Sequence, residues 1–156
     1  MRPYSILFKK MSPAAITIDT QDTFGIVCRD FPFKIYGEAK QLPSISWHDS
    51  HGNDEYVPPS LYIDAYDLQI DFAYKGPRDS ANHAIRSFLN YITGNDGLNQ
   101  GAELMVYDTY TRIGRQKVRY VSVAEEMTVR NDHDGDVFTF SVTFRINDPT
   151  TDITLP

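Results

Sequence analysis

Two histidines three residues apart, in His48-Asp49-Ser50-His51, come nearest to a chemical motif in this chain. On a helix or tight turn that spacing can bring two imidazoles to one metal ion, and Asp54 and Glu55 follow closely. A zinc site needs three or four ligands in tetrahedral geometry, with its histidines buried and oriented. These residues stand among Gly, Asn and Asp without a cysteine, so the expected state is a solvated loop tip and no metal. Asp132, Asp134 and Asp136 surround Gly135 and suggest calcium. An EF-hand loop requires glycine at its sixth position and glutamate at its twelfth. Counted from Asp132, Gly135 is fourth, which leaves a hairpin turn. Arg112, Arg115, Lys117 and Arg119 form the one local basic cluster. It can hold phosphate or an acidic partner. The plainer readings are a charged strand edge that resists aggregation, or pairing with Glu125 and Glu126. The chain has no G-x-S-x-G elbow and no glycine-rich phosphate loop. Cys28 lies in a strand pattern and reads as a small core residue. No cofactor is expected, and enzyme activity has no positive support.

The elements that must position these residues are mostly strands. After Val137, Phe138, Phe140, Val142, Phe144 and Ile146 follow at every second position, with Thr139, Ser141, Thr143 and Arg145 between them. A strand turns successive side chains to opposite faces, so this segment has one apolar and one polar face. Asp148-Pro149 closes it, because proline has no amide to donate. Leu61–Lys75 repeats the pattern, with Leu68, Ile70, Phe72 and Tyr74 on one face and Gln69, Asp71 and Ala73 on the other. Shorter strands are expected at Tyr4–Phe8, Ile16–Thr20, Thr23–Arg29, Pro32–Gly37, Ala102–Thr109, Lys117–Val123 and Glu126–Arg130. Turns are expected at Thr111–Arg115, around Gly114, and at Asn131–Asp136. One helix is expected over Ala81–Thr93, where Ile85, Phe88, Leu89 and Ile92 form a single stripe. Ser80 or Asp79 serves as its N-cap, and Gly94 suits the left-handed position after its end. Pro43–Ser60 reads as a long loop or extended hairpin with a polar tip at Ser50–Asp54. The order predicts a mainly β protein, an antiparallel β-sandwich or barrel with a single helix packed against it.

Composition sets the outer limits. A chain of 156 residues supports one core in a single domain. Aromatic residues make up 13%, an excess that fits a β-rich protein meeting other proteins. The net charge of -6 argues against general binding to a phosphate backbone. One cysteine excludes an intrachain disulfide and points to a reducing compartment. No secretory signal and no membrane-spanning run is visible, so a soluble cytoplasmic product is expected, with no membrane partner.

Six segments carry a family resemblance: GIVCRDFPF, LQIDFAY, AIRSFLNYITG, ELMVYDTYT, GRQKVRYVSVAEE and FTFSVTFRINDP. Their order resembles the β-barrel domain of phage tail proteins, in particular the distal tail protein and its tail-tube relatives, over most of residues 20 to 149. The resemblance implies a single tail-tube-like domain with an extended loop at 43–60 and a short C-terminal tail at 149–156. It implies a non-enzymatic virion structural protein, made in the host bacterial cytoplasm and residing in the tail. Its partners would be itself, in a ring expected to be hexameric, other tail proteins, and DNA passing through without specific binding. Sheets of neighbouring subunits would join around a channel, and an acidic lumen would repel phosphate. Trp47, His48, His51 and Tyr56 are then candidates for the oligomer interface. Gln69, Asp71, Thr139, Ser141 and Thr143 are candidates for facing the channel. The alternative is a monomeric ligand-binding β-sandwich for a carbohydrate or small molecule, with Trp47, Tyr56 and Tyr62 as an aromatic platform. A third reading is a metal-dependent hydrolase using His48 and His51.

Overall fold

The computed structural model describes residues 5–32, 34–77, 79–124, 128–132 and 135–156, with backbone alone over 128–132 and 135–136. The elements run β1 (Ile6–Lys10), β2 (Ile18–Asp19), α1 (Thr20–Phe24), β3 (Ile26–Asp30), β4 (Ser44–Ile45), β5 (Asp54–Glu55) and β6 (Tyr66–Gly76). They continue with α2 (Ala81–Thr93), β7 (Leu104–Asp108), β8 (Ile113–Val123), β9 (Thr128–Asp132) and β10 (Gly135–Ile146). The protein is mainly β. One antiparallel sheet follows the order β2-β1-β7-β8-β10-β6-β3 and curls into a half-barrel, while β9 pairs with the beginning of β10.

The two strongest sequence patterns lie side by side. β10 and β6 keep register from Asp136↔Gly76 to Ile146↔Tyr66 without interruption. Their alternation puts Leu68, Ile70, Phe72 and Tyr74 on the same buried face as Phe140, Val142, Phe144 and Ile146. Helix α2 covers that face. Phe88 has no exposed surface, and its ring lies 5.2 Å from Phe72, 5.8 Å from Phe8, 6.4 Å from Phe140 and 5.5 Å from Phe24. Phe8 is on β1 and Phe72 on β6, four strands apart in the sheet order. One helical side chain can touch both only because the sheet curls around it. The edge-on ring geometry is the arrangement favoured by aromatic quadrupoles.

Helix α2 occupies the expected residues, with Gly94 at φ 82 closing it. Its buried set is Ala81, Ile85, Phe88, Tyr91 and Ile92, while Leu89 is half-buried. Ser80 stands at the N-cap with backbone already near helical angles and makes no side-chain capping bond, contrary to expectation. A second helix, α1, occupies part of the segments expected as strands at Ile16–Thr20 and Thr23–Arg29. The Asp19 carboxylate accepts from the amides of Gln21 and Asp22, and Gly25 ends the turn at φ 69. These caps at both ends hold five residues as helix.

Other expectations shift. The first strand lies at Ile6–Lys10, and its expected Tyr4 lies outside the described residues. Of the strand expected at Pro32–Gly37, Phe33 lies outside the described residues and the others form no strand: Ile35 and Tyr36 are largely exposed and belong to no ladder. The β7–β8 reversal precedes Gly114, at residues 109–112, where Arg112 takes φ 60 and donates to the Asp108 carbonyl at 2.9 Å. Gly114 lies inside β8 because the C-terminal segment crosses there. A Cβ at that position would stand 2.3 Å from the Ile153 carbonyl oxygen. Of the turn expected at Asn131–Asp136, residues 131–132 belong to β9 and 135–136 to β10, while residues 133–134, and Glu125 and Glu126, lie outside the described residues.

Candidate interaction arm and polar face

Between β3 and β6 the chain leaves the sheet and forms an arm over residues 34–65. Its stalk is narrow: Lys40 N–H donates to the Tyr62 carbonyl at 2.8 Å, and Asp64 N–H to the Glu38 carbonyl at 2.8 Å. Farther out, Ser44 faces Glu55 and Ile45 faces Asp54 in the β4–β5 ribbon, and Tyr56 N–H donates to the Pro43 carbonyl at 3.1 Å. This is an extended hairpin with a polar tip.

Every residue from Pro43 to Val57 is exposed. That includes Trp47, His48, His51 and Tyr56, so the four candidate interface residues share one ribbon. Among the described residues, eight of the thirteen exposed large hydrophobics lie between Ile35 and Tyr62, which concentrates unburied apolar surface on this one feature. Trp47 is nevertheless held in place, because its indole Nε1 donates to the Asp54 carboxylate across the ribbon at 2.7 Å. The arm is also acidic. Glu38, Asp49, Asp54, Glu55 and Asp64 face only Lys34 and Lys40, so half the net charge of -6 sits in this segment. Among the described residues no group of three or more His, Cys, Asp and Glu is placed to hold a metal ion.

Arg115 anchors the arm's base. Its buried guanidinium donates to the carbonyls of Lys34 and Ile35, each at 3.4 Å, and pairs with Asp152 of the C-terminal segment. This breaks up the basic cluster anticipated from sequence. Arg115 points inward, Lys117 and Arg119 point outward, and Arg112 sits on a turn. β8 is no edge strand either, since β7 and β10 flank it, so the reading of its charges as an edge guard is overturned.

The candidate channel residues also come together. Gln69, Asp71, Thr139, Ser141 and Thr143 lie on the outer face of β6 and β10, with Thr143 opposite Gln69 and Ser141 opposite Asp71. The Ser141 hydroxyl donates to Asp71 Oδ1 at 2.5 Å, and Arg145 pairs with Asp67 at 3.1 Å beside them. The face continues onto β8 through Ser122 and Arg119. Its charges are mixed, with Asp67 and Asp71 on β6 beside Arg145 on β10 and Arg119 on β8.

Sequence reasoning missed Lys10. It lies on β1 with no exposed surface, donates to the Gly101 carbonyl at 2.7 Å and stands 3.7 Å from the Asp96 carboxylate. Its ammonium lies 4.7 Å from the centre of the Tyr91 ring. Burial, reinforced by the Asp96 charge, pushes the Tyr91 phenol up to about 12. The group ties the loop after α2 to the first strand. Its one signal in the sequence is a lysine at an inward position of the alternation Ile6, Phe8, Lys10.

Compared with known families, the chain matches no family model, and no curated protein sequence matches it either.

Proposed function

We propose that the chain is a non-enzymatic structural subunit of a phage or phage-derived tail, assembling into a homo-oligomeric ring around a DNA channel. The observation that carries the reading is the arm. A complete core accompanies a projecting hairpin on which Ile45, Trp47, Tyr56 and Val57 are exposed together. Exposed aromatic residues on a fixed frame are the usual anchors of protein interfaces. The polar outer face of β6 and β10 supports a second surface turned toward water or a channel. The ring, expected to be a hexamer, would sit in the tail tube or distal tail with other tail proteins as neighbours. DNA would pass without specific binding, consistent with the net charge of -6.

Native mass at rising concentration tests this. A particle of several chain masses is the expected result. A 17.8 kDa monomer alone, at high concentration and with other tail components present, overturns it. The exposure of Trp47, Tyr56 and Tyr62 also favours a second reading, an aromatic platform for a carbohydrate. Trp47 is the only tryptophan, so its fluorescence reports directly on that reading. Saturable quenching by oligosaccharides with the protein remaining monomeric would select it.

A further inference from the structure

The geometry points to a receiving site for the arm on a second copy of this chain, the groove between helix α2 and strand β10. The groove has a volume of about 370 Å³ and is lined by Asn82, Ile85, Arg86, Leu89, Asn90 and Phe138. Its apolar floor is Ile85, Leu89 and Phe138, and its rim is Asn82, Arg86 and Asn90. Among the described residues the lining holds one charge, the exposed Arg86, and no carboxylate. A volume near the lower end of ligand clefts, about 300–1,000 Å³, suits a few large side chains.

The arm has the complementary properties. From Pro43 to Val57 it carries Asp49, Asp54 and Glu55 and no lysine or arginine. It presents Ile45, Trp47, Tyr56 and Val57 to solvent. Apolar side chains would enter the groove while a carboxylate meets Arg86 at the rim. Trp47 is already fixed by Asp54, which lowers the ordering cost of docking. Among the described residues, none covers either surface within its own subunit. Arm and groove are different patches of one chain, so the contact is head-to-tail. Repeated contacts of that kind close into a ring when the rotation permits. This inference rests on the oligomeric reading above and names the surface that would carry it.

The test uses the full chain with a benzophenone side chain at position 56 in place of Tyr56, mixed with ¹⁵N-labelled copies. Irradiation should give cross-links between light and heavy chains that map to residues 82–90 or to Phe138. Leu89→Asp and the exposed rim variant Arg86→Glu should each weaken assembly at least about tenfold. Arg86→Glu should keep the wild-type melting curve, so its loss of assembly cannot be misfolding. A multi-subunit particle whose cross-links fall elsewhere, and whose assembly ignores both variants, overturns the groove and leaves the ring reading standing. Cross-links in the groove within a closed two-subunit particle support the groove and overturn the ring. Cross-links joining arm and groove of one chain, or none from a persistent monomer, overturn the inference.

Discussion

The same residue types lead opposite lives in the sheet and in the arm. Tyr66, Tyr74 and Tyr91 are buried to within a few per cent, whereas Tyr36, Tyr56 and Tyr62 are 67–74% exposed. The difference is a second layer. β6 and β10 pair over their whole length and have α2 laid across their apolar face, so alternation becomes burial. The β4–β5 ribbon has two paired positions, and all four of their residues are exposed. An isolated two-stranded hairpin is at best marginally stable in water. The arm keeps its form through local devices: Arg115 at its base, the stalk hydrogen bonds, and the Trp47–Asp54 bond. Stability and recognition are therefore separated in space, and each can be perturbed without the other.

The separation is tested most severely at Phe88. Replacing it with alanine removes contacts to rings on β1, β6, β10 and α1 and should cost about 3–5 kcal/mol. Leu89→Ala, at the half-buried flank, should cost less than about 2 kcal/mol, and Asn90→Ala less than about 0.5 kcal/mol. Shortening the arm by Asp49–Gly52 should leave the denaturant midpoint near wild type while reducing assembly, because those residues touch no core. Equal losses from Phe88→Ala and the arm deletion would end the comparison. Lys10→Met comes next. It keeps most of the stem but leaves the Gly101 carbonyl without its donor, for an expected loss of about 1–3 kcal/mol. Hydrogen exchange should quicken first in the loop after α2, which that bond holds to β1.

Where two layers meet, the sequence was readable. The stripe of α2 and the alternation of β6 and β10 each repeat often enough to define a face, and both faces are buried together. Short elements were not readable. Helix α1 has five residues, too few for a period, and its evidence was confined to its caps, Asp19 and Gly25. Gly114 resembled a turn because the reason for a glycine there is 39 residues away, at Ile153. Leu89 and Tyr91 exchanged roles because α1 packs against the Tyr91 side of α2, with the Phe24 and Tyr91 rings 6.1 Å apart. In the candidate site, the arm was visible as a polar, aromatic segment between prolines. Its anchor at Arg115 was not, because that residue looked like one of four similar cations. The groove at Phe138 needs a distance between helix and strand that no local pattern carries.

The outer face sharpens the comparison from the other side, because it belongs to the sheet but is solvated. Gln69 is exposed, so Gln69→Lys should change stability by less than about 0.5 kcal/mol. Asp71 is half-buried and accepts from Ser141, so Asp71→Lys should cost about 1 kcal/mol or more. Gln69→Lys is thus the cleaner probe of a channel. Wild-type protein should show no binding to duplex DNA at physiological salt, while particles built from Gln69→Lys should release DNA more slowly. Tight, salt-sensitive binding by the wild type would reverse the functional reading.

The smallest effect concerns the end of the sheet, where the C-terminal segment begins. Partial burial of Asp148 works to raise its carboxyl pKa, but donation from the Gln116 amide at 2.7 Å and from the Thr151 backbone at 3.3 Å outweighs it. The carboxyl is held below its usual value, so the folded state prefers the charged form. The resulting stabilisation is complete above the unfolded-state pKa of about 3.9 and disappears as pH falls through the lower folded value. Asp148→Asn should therefore melt slightly below wild type at pH 7, and the gap should close by about pH 2, where wild type is protonated too. Gln116→Ala, by removing the largest favourable donor, should narrow the pH dependence in the same direction. An Asp148→Asn deficit of equal size at pH 7 and pH 2 would mean that the aspartate acts by shape and hydrogen bonding rather than by charge. The electrostatic hold on the C-terminal segment would then be the Arg115–Asp152 pair among the described residues, made by the same guanidinium that fixes the arm.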